Sequence, residues 1–144
     1  MEIFMRHFVL SMICLVLAAC ASSSSVVVGT KRSPISPEQV KIYLREPAKF
    51  EEVALLEASS RNSWSFSSQG KMDKVVERLK NEAAKIGANG ILLTGTGNEY
   101  GGSVNSGFAT STASGNSAYG SGFGTSAPVI HKAGSAIAIY VTEK

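Results

Sequence analysis

Few residues in this 144-residue chain could carry out covalent chemistry, and the most suggestive is Cys20, one of two cysteines. It follows Leu17-Ala18-Ala19 at the end of an apolar run and precedes Ala21 and four serines. A thiol in that setting is placed to be modified and then to become a new amino terminus if the chain is cut between Ala19 and Cys20. His131 is the one histidine beyond the first ten residues. A lone imidazole lacks a partner to orient it as a base and offers too few ligands for zinc, so it reads as a surface or strand-end residue. Gly95-Thr96-Gly97 begins like a dinucleotide-binding turn, but Tyr100 stands where the third glycine belongs and no helix follows to present its dipole to a pyrophosphate. Glu51, Glu52 and Glu57 read as strand-edge carboxylates, because nothing near them in sequence would separate their pKa values into an acid and a base. The expectation is a non-enzymatic protein with no catalytic, cofactor-binding or metal-binding residue. The charge balance, 14 Lys and Arg against 11 Asp and Glu, is too mild for a nucleic-acid partner.

The segment that positions Cys20 is a leader. Met1 to His7 is a polar-flanked opening containing Arg6, and Phe8 to Ala19 is an apolar run broken only by Ser11. Twelve residues make roughly 18 Å of helix, well short of the ~30 Å hydrocarbon core, which is the length of a signal-peptide apolar region. Residues 1–19 are therefore expected to be removed. Leu17-Ala18-Ala19-Cys20 resembles the lipobox of bacterial lipoproteins; the alternative is an ordinary secretory leader cleaved after Ala19 with Cys20 incidental. The resemblance implies a diacylglyceryl group on the Cys20 sulfur, cleavage between Ala19 and Cys20, and acylation of the new amine. One acyl chain binds a membrane only marginally, each buried methylene being worth about 0.8 kcal/mol, whereas two or more anchor stably. Membrane lipid is thus the first expected partner. Ala21, where aspartate would favour the inner membrane, implies an outer-membrane lipoprotein on the periplasmic face. With Cys14 discarded and Cys20 modified, no disulfide is expected.

The remainder suits one small domain. Residues 20–37, rich in serine and containing Pro34 and Pro37, read as a lipidated cysteine and flexible tether. Residues 38–144 read as an α+β domain with one main amphipathic helix on about four strands. Val40, Ile42 and Leu44 alternate with polar residues as in a half-buried strand. Glu52 to Ala58 is apolar on both faces, as in a central strand. Met72, Val75, Val76, Leu79, Ala83 and Ile86 form one stripe of a helix over Lys71–Ile86, with Gly87 in position for a left-handed cap. Ile91 to Thr94 and Ala136 to Val141 complete the strands. Strand, helix and strand in that order suggest a right-handed crossover if the two strands are parallel neighbours.

Two groups of aromatic residues are candidate interaction sites. Trp64 and Phe66, two apart in a polar loop, are either a stacking platform or rings that lid the core edge. The 27 residues from Gly101 to Ala127 hold seven glycines, seven serines and no charge, with aromatics at Phe108, Tyr119 and Phe123. Such composition reads as a long mobile loop inserted in a hairpin before the last strand. The sharper alternative is a self-associating or partner-binding segment whose spaced aromatics stack.

Val40-Lys41-Ile42-Tyr43-Leu44, then Glu51-Glu52-Val53-Ala54-Leu55-Leu56-Glu57-Ala58, and above all Leu79 to Leu93 with its Gly87-Ala88-Asn89-Gly90 link, resemble the small α+β domain of RcsF-like envelope lipoproteins and the related YbjQ-type proteins. The resemblance covers roughly residues 38–95 and the last strand. It implies a periplasm-facing module that contacts other envelope proteins or senses envelope state. The alternative is a structural lipoprotein acting through its Gly/Ser-rich segment.

Overall fold

The computed structural model describes residues 22–142. The leader, Ala19 and Cys20 lie outside the described residues. The elements in chain order are β1 (Ser23–Val27), a short 3-10 turn (Pro37–Gln39), β2 (Lys41–Tyr43), β3 (Phe50–Ser59), α1 (Ser68–Lys85), β4 (Gly90–Ser114) and β5 (Ser117–Val141). They build one five-stranded sheet in the order β1-β3-β5-β4-β2, with β2 parallel to β4 and every other pairing antiparallel. One helix on one mixed sheet agrees with the expected class, and the fifth strand is β1.

The helix forms where its apolar stripe requires. Val75, Leu79, Ala83 and Ala84 are buried, and Ser67 caps the first turn by accepting a hydrogen bond from the Gly70 amide at 3.0 Å. At the other end the Gly87 amide donates to the Ala84 carbonyl and the Ala88 amide to the Ala83 carbonyl, with Gly87 at φ +75°. This is a Schellman closure, and it needs a residue without a β-carbon. The helix lies on a floor of small residues, Ala54, Ala58, Gly134, Ala136 and Ala138, joined by Leu56 and Ile91 in a single core. A β-carbon on Gly134 would come within 2.8 Å of Val75 Cγ1, which shows how closely helix and strand approach. At about 1.5–3 kcal/mol for each fully buried Val, Leu or Ile, this interface supplies much of the attraction that holds the domain.

Four expectations are corrected. The crossover from β3 through α1 to β4 does not join neighbours, because β5 inserts between them. Val40 is buried, but Ile42 and Leu44 are exposed, so the alternation at 40–45 marks a short edge strand of three residues. Residues 23–27 are not tether: their backbone pairs with Ala54–Ala58 of β3, which needs no apolar side chains. Residues 28–36 also pack. The Arg32 amide donates to the Ile86 carbonyl and the Ile35 amide to the Ala84 carbonyl, while the Arg32 guanidinium lies 3.8 Å from the centre of the Tyr140 ring. The fourth correction concerns 101–127, which is strand and not loop. β4 and β5 continue far past the helix-covered sheet as a two-stranded ribbon turned by Gly115 and Asn116.

Candidate functional site

β5 runs unbroken through the sheet, and its alternation defines two faces. Gly134, Ala136 and Ala138 look toward α1, so Ala133, Ser135, Ile137 and Ile139 lie on the opposite face, which is covered at Ile139 and opens toward Ala133 and Ser135. Near the root of the ribbon that open face is hollowed into a trough of about 620 Å³. Its floor is shallow because Gly95, Gly97, Ala133 and Ser135 bring little or no side chain, and Glu57 and Glu99 border it. Gly97 has open space where a β-carbon would stand.

Glu99 is the best-defined charged group in the trough. The Ser59 hydroxyl donates to one carboxylate oxygen at 2.6 Å, and Arg61 meets the other at 2.7 Å. The Arg61 amide in turn donates to Ser59 Oγ at 3.2 Å, so the three groups hold one another. The Ser59 hydrogen bond, helped by the nearby charges of Arg61 and His131, keeps the Glu99 carboxyl below its ordinary value of 4.5. Arg78 reaches the Ser59 and Arg61 carbonyls, Lys71 donates to the Ile130 carbonyl at 2.7 Å, and Lys132 donates to Asn98 Oδ1 at 2.7 Å. Four cationic side chains thus collect around the ribbon's root. This cluster comes from β3, the following loop, α1, β4 and β5, and nothing in the spacing along the chain announces it.

The ribbon beyond is different in kind. Twelve consecutive pairs, Ser103 with Pro128 through Ser114 with Ser117, follow the bulge at Gly101-Gly102. Residues 100–130 contain no Asp, Glu, Lys or Arg. Register separates two faces. One carries Val104, Phe108, Thr110, Thr112, Tyr119, Phe123 and Thr125, and the other carries only small residues and Asn105. Phe108 pairs directly with Phe123 across the ladder. On the larger face, Ser106 Oγ lies 3.1 Å from Thr125 Oγ1 and Thr110 Oγ1 lies 3.3 Å from Ser121 Oγ, so these hydroxyls serve one another.

The residues singled out in the sequence fall in separate places. Phe108, Tyr119 and Phe123 share the larger ribbon face and are 72%, 78% and 65% exposed. Trp64 and Phe66, each 93% exposed, stand in solvent and do not lid the core. His131 is not at a strand end but in mid-strand, opposite Glu99, with its ring over Gly101, where any side chain would collide with it. Gly95-Thr96-Gly97 lies within β4 and forms no phosphate-binding turn. Glu51 pairs with Arg32 at 2.5 Å, away from Glu57 in the trough. Among the described residues, no three of His, Cys, Asp or Glu gather to hold a metal ion.

No protein-family model matches the chain, and no curated protein matches it. A crystal structure of the Francisella virulence factor FvfA aligns with 79% of this chain and 96% of its own length, at 17% identity and a TM-score of 0.41. At that score no property of FvfA transfers to this chain.

Proposed function

We propose that this chain is a bacterial envelope lipoprotein, acylated at Cys20, held in the outer membrane on its periplasmic side, and working by contact without turnover. The ribbon formed by β4 and β5 is its contact element, which favours the structural, assembly-type reading over a sensor that acts through the globular domain. The observation that supports this is the ribbon itself. Twelve paired rows without charge present Phe108, Tyr119 and Phe123 to water, and a two-stranded ladder is marginally stable alone, so a bound partner would stabilise it.

Two measurements test the two halves of the proposal. Metabolic palmitate labelling and mass spectrometry of the mature amino terminus should find wild type acylated and Cys20→Ser unlabelled; an unacylated wild-type amino terminus, or label that persists on Cys20→Ser, refutes the anchor. Deleting 105–126, with Val104 and Ala127 joined by Asn-Gly, should leave the domain folded and remove its crosslinks to envelope components. Unchanged crosslinks would show that the contact surface lies elsewhere.

A further inference from the structure

We propose that the ribbon enters the lipid bilayer, and that ribbons from several copies of this chain close edge to edge into a membrane-spanning β-barrel. The inference rests on the reading of Cys20 as the acylated anchor and specifies what the ribbon contacts.

The first support is position. The Ser59 amide donates to the Ser22 carbonyl, Ser23 pairs with Ala58, and Ser59 pairs with Ala133. The chain therefore enters the sheet at the end from which the ribbon leaves. Cys20 is two residues before Ser22, within about 7 Å of it along even a fully extended chain. The ribbon runs on from Gly97 to Ser114, about 60 Å at the usual strand rise. An anchor at Cys20 would bring the membrane surface to the ribbon's root, so a 60 Å projection from that end meets the bilayer.

The second support is the match of length and charge to a spanning strand. Strands of about 9–11 residues tilted near 45° cross the hydrocarbon core, and twelve uncharged paired rows with a two-residue turn suffice. Charge returns only at the root. There Arg61, Lys71, Arg78 and Lys132 outnumber Glu57 and Glu99, the latter paired with Arg61, and this excess of positive charge suits anionic headgroups. Their chemistry complements the leaflet surface that the anchor would occupy.

The third is the two-faced ladder. Val104, Phe108, Tyr119 and Phe123 would meet lipid, and the hydroxyls between them are paired within the ribbon, which removes the main cost of taking them out of water. Asn105, Ser111, Ser126 and the glycines would line the lumen. Both ribbon edges are bare: β2 covers β4 only at Gly90–Leu92, and β3 covers β5 only as far as Ala133. Open sheet edges are not tolerated in hydrocarbon, so a single copy cannot insert and a closed ring of copies can.

The test uses full-length acylated protein in vesicles of phosphatidylethanolamine and phosphatidylglycerol. An environment-sensitive fluorophore is placed singly through V104C, N105C, F108C, A109C, T110C and S111C. Expected are blue-shifted emission at 104, 108 and 110, water-like emission at 105, 109 and 111, and release of a trapped dye. A Phe108→Asp, Phe123→Asp double variant should lose the shift and the release while keeping the circular dichroism of the folded domain. Water-like emission at all six positions, or a shift that does not alternate, overturns the proposal, as does a water-soluble oligomer that leaves vesicles intact. Mass spectrometry of the same sample separates the two failures. Acylated protein with no alternation refutes the barrel and leaves the anchor, whereas unacylated protein refutes the anchor itself.

Discussion

Replacing Leu79 with alanine tests whether the helix rests on the sheet as described. Leu79 is fully buried at the centre of α1, above Gly134 and beside Val75. The lost transfer energy is about 2.4 kcal/mol, three carbon groups at about 0.8 kcal/mol each. A cavity contribution adds to this, and its size depends on how far the surroundings can close. Here the floor is backbone and methyl groups of Gly134, Ala136, Ala138 and Ala58, which have no side-chain freedom with which to fill a hole. The expected loss is therefore toward the upper part of the range seen for buried leucines, about 3–5 kcal/mol, a large share of the ~5–15 kcal/mol by which domains are stable. Urea unfolding followed by far-ultraviolet circular dichroism should show the midpoint falling by about 2 M at an unchanged slope near 2 kcal/mol/M. A loss below about 1.5 kcal/mol would show that helix and sheet collapse onto one another freely, and the close-approach argument would fail.

Asn89→Ala should cost about 2 kcal/mol in the same assay, because its side chain both donates to the Val141 carbonyl at 2.9 Å and accepts from the Val141 amide at 2.7 Å; faster hydrogen exchange at Val141 would locate the loss. Gly87→Ala should destabilise by about 1–2 kcal/mol from its positive φ alone, and by more because a β-carbon would meet the Arg32 and Ser33 backbone; an unchanged melting temperature would contradict the Schellman closure. Glu99 has a folded pKa below its ordinary 4.5, so its stabilising contribution is present above that value and is lost as pH falls through the folded pKa. Glu99→Gln should accordingly flatten the decline in stability below about pH 4.5, and identical acid limbs for the two proteins would show that the Ser59 and Arg61 contacts do not form in solution.

What could be read from the chain depended on whether a signal was local. The stripe from Met72 to Ile86 and the glycine after it are local, and both elements form where expected. The ribbon was also written in period two, with Phe108, Thr110 and Thr112 alternating with Gly107, Ala109 and Ser111, but contrast between large and small residues is weaker than contrast between apolar and polar ones. Glycine and serine content therefore argued for a loop. β1 is hidden for another reason, since a strand held by main-chain pairing to an open edge asks nothing of its side chains. The Ser59, Arg61 and Glu99 cluster spans 40 residues and depends on β3, β4 and β5 meeting, which no window of sequence reveals.

The first strand is one of the sheet's two lightly held edges. It holds to β3 through five paired residues and the flanking backbone bonds at Ser22, Val28 and Gly29, buries no large apolar side chain, and reaches the helix at Ser23, whose hydroxyl donates to Glu82 at 2.9 Å. Tension arriving from the amino-terminal side would peel these rungs one after another before it loaded the helix-covered core. The peeled state would bare the backbone of β3 from Ala54 to Ala58 and leave the other four strands paired. A module built in this way would yield first at this edge while its helix-covered core stays paired.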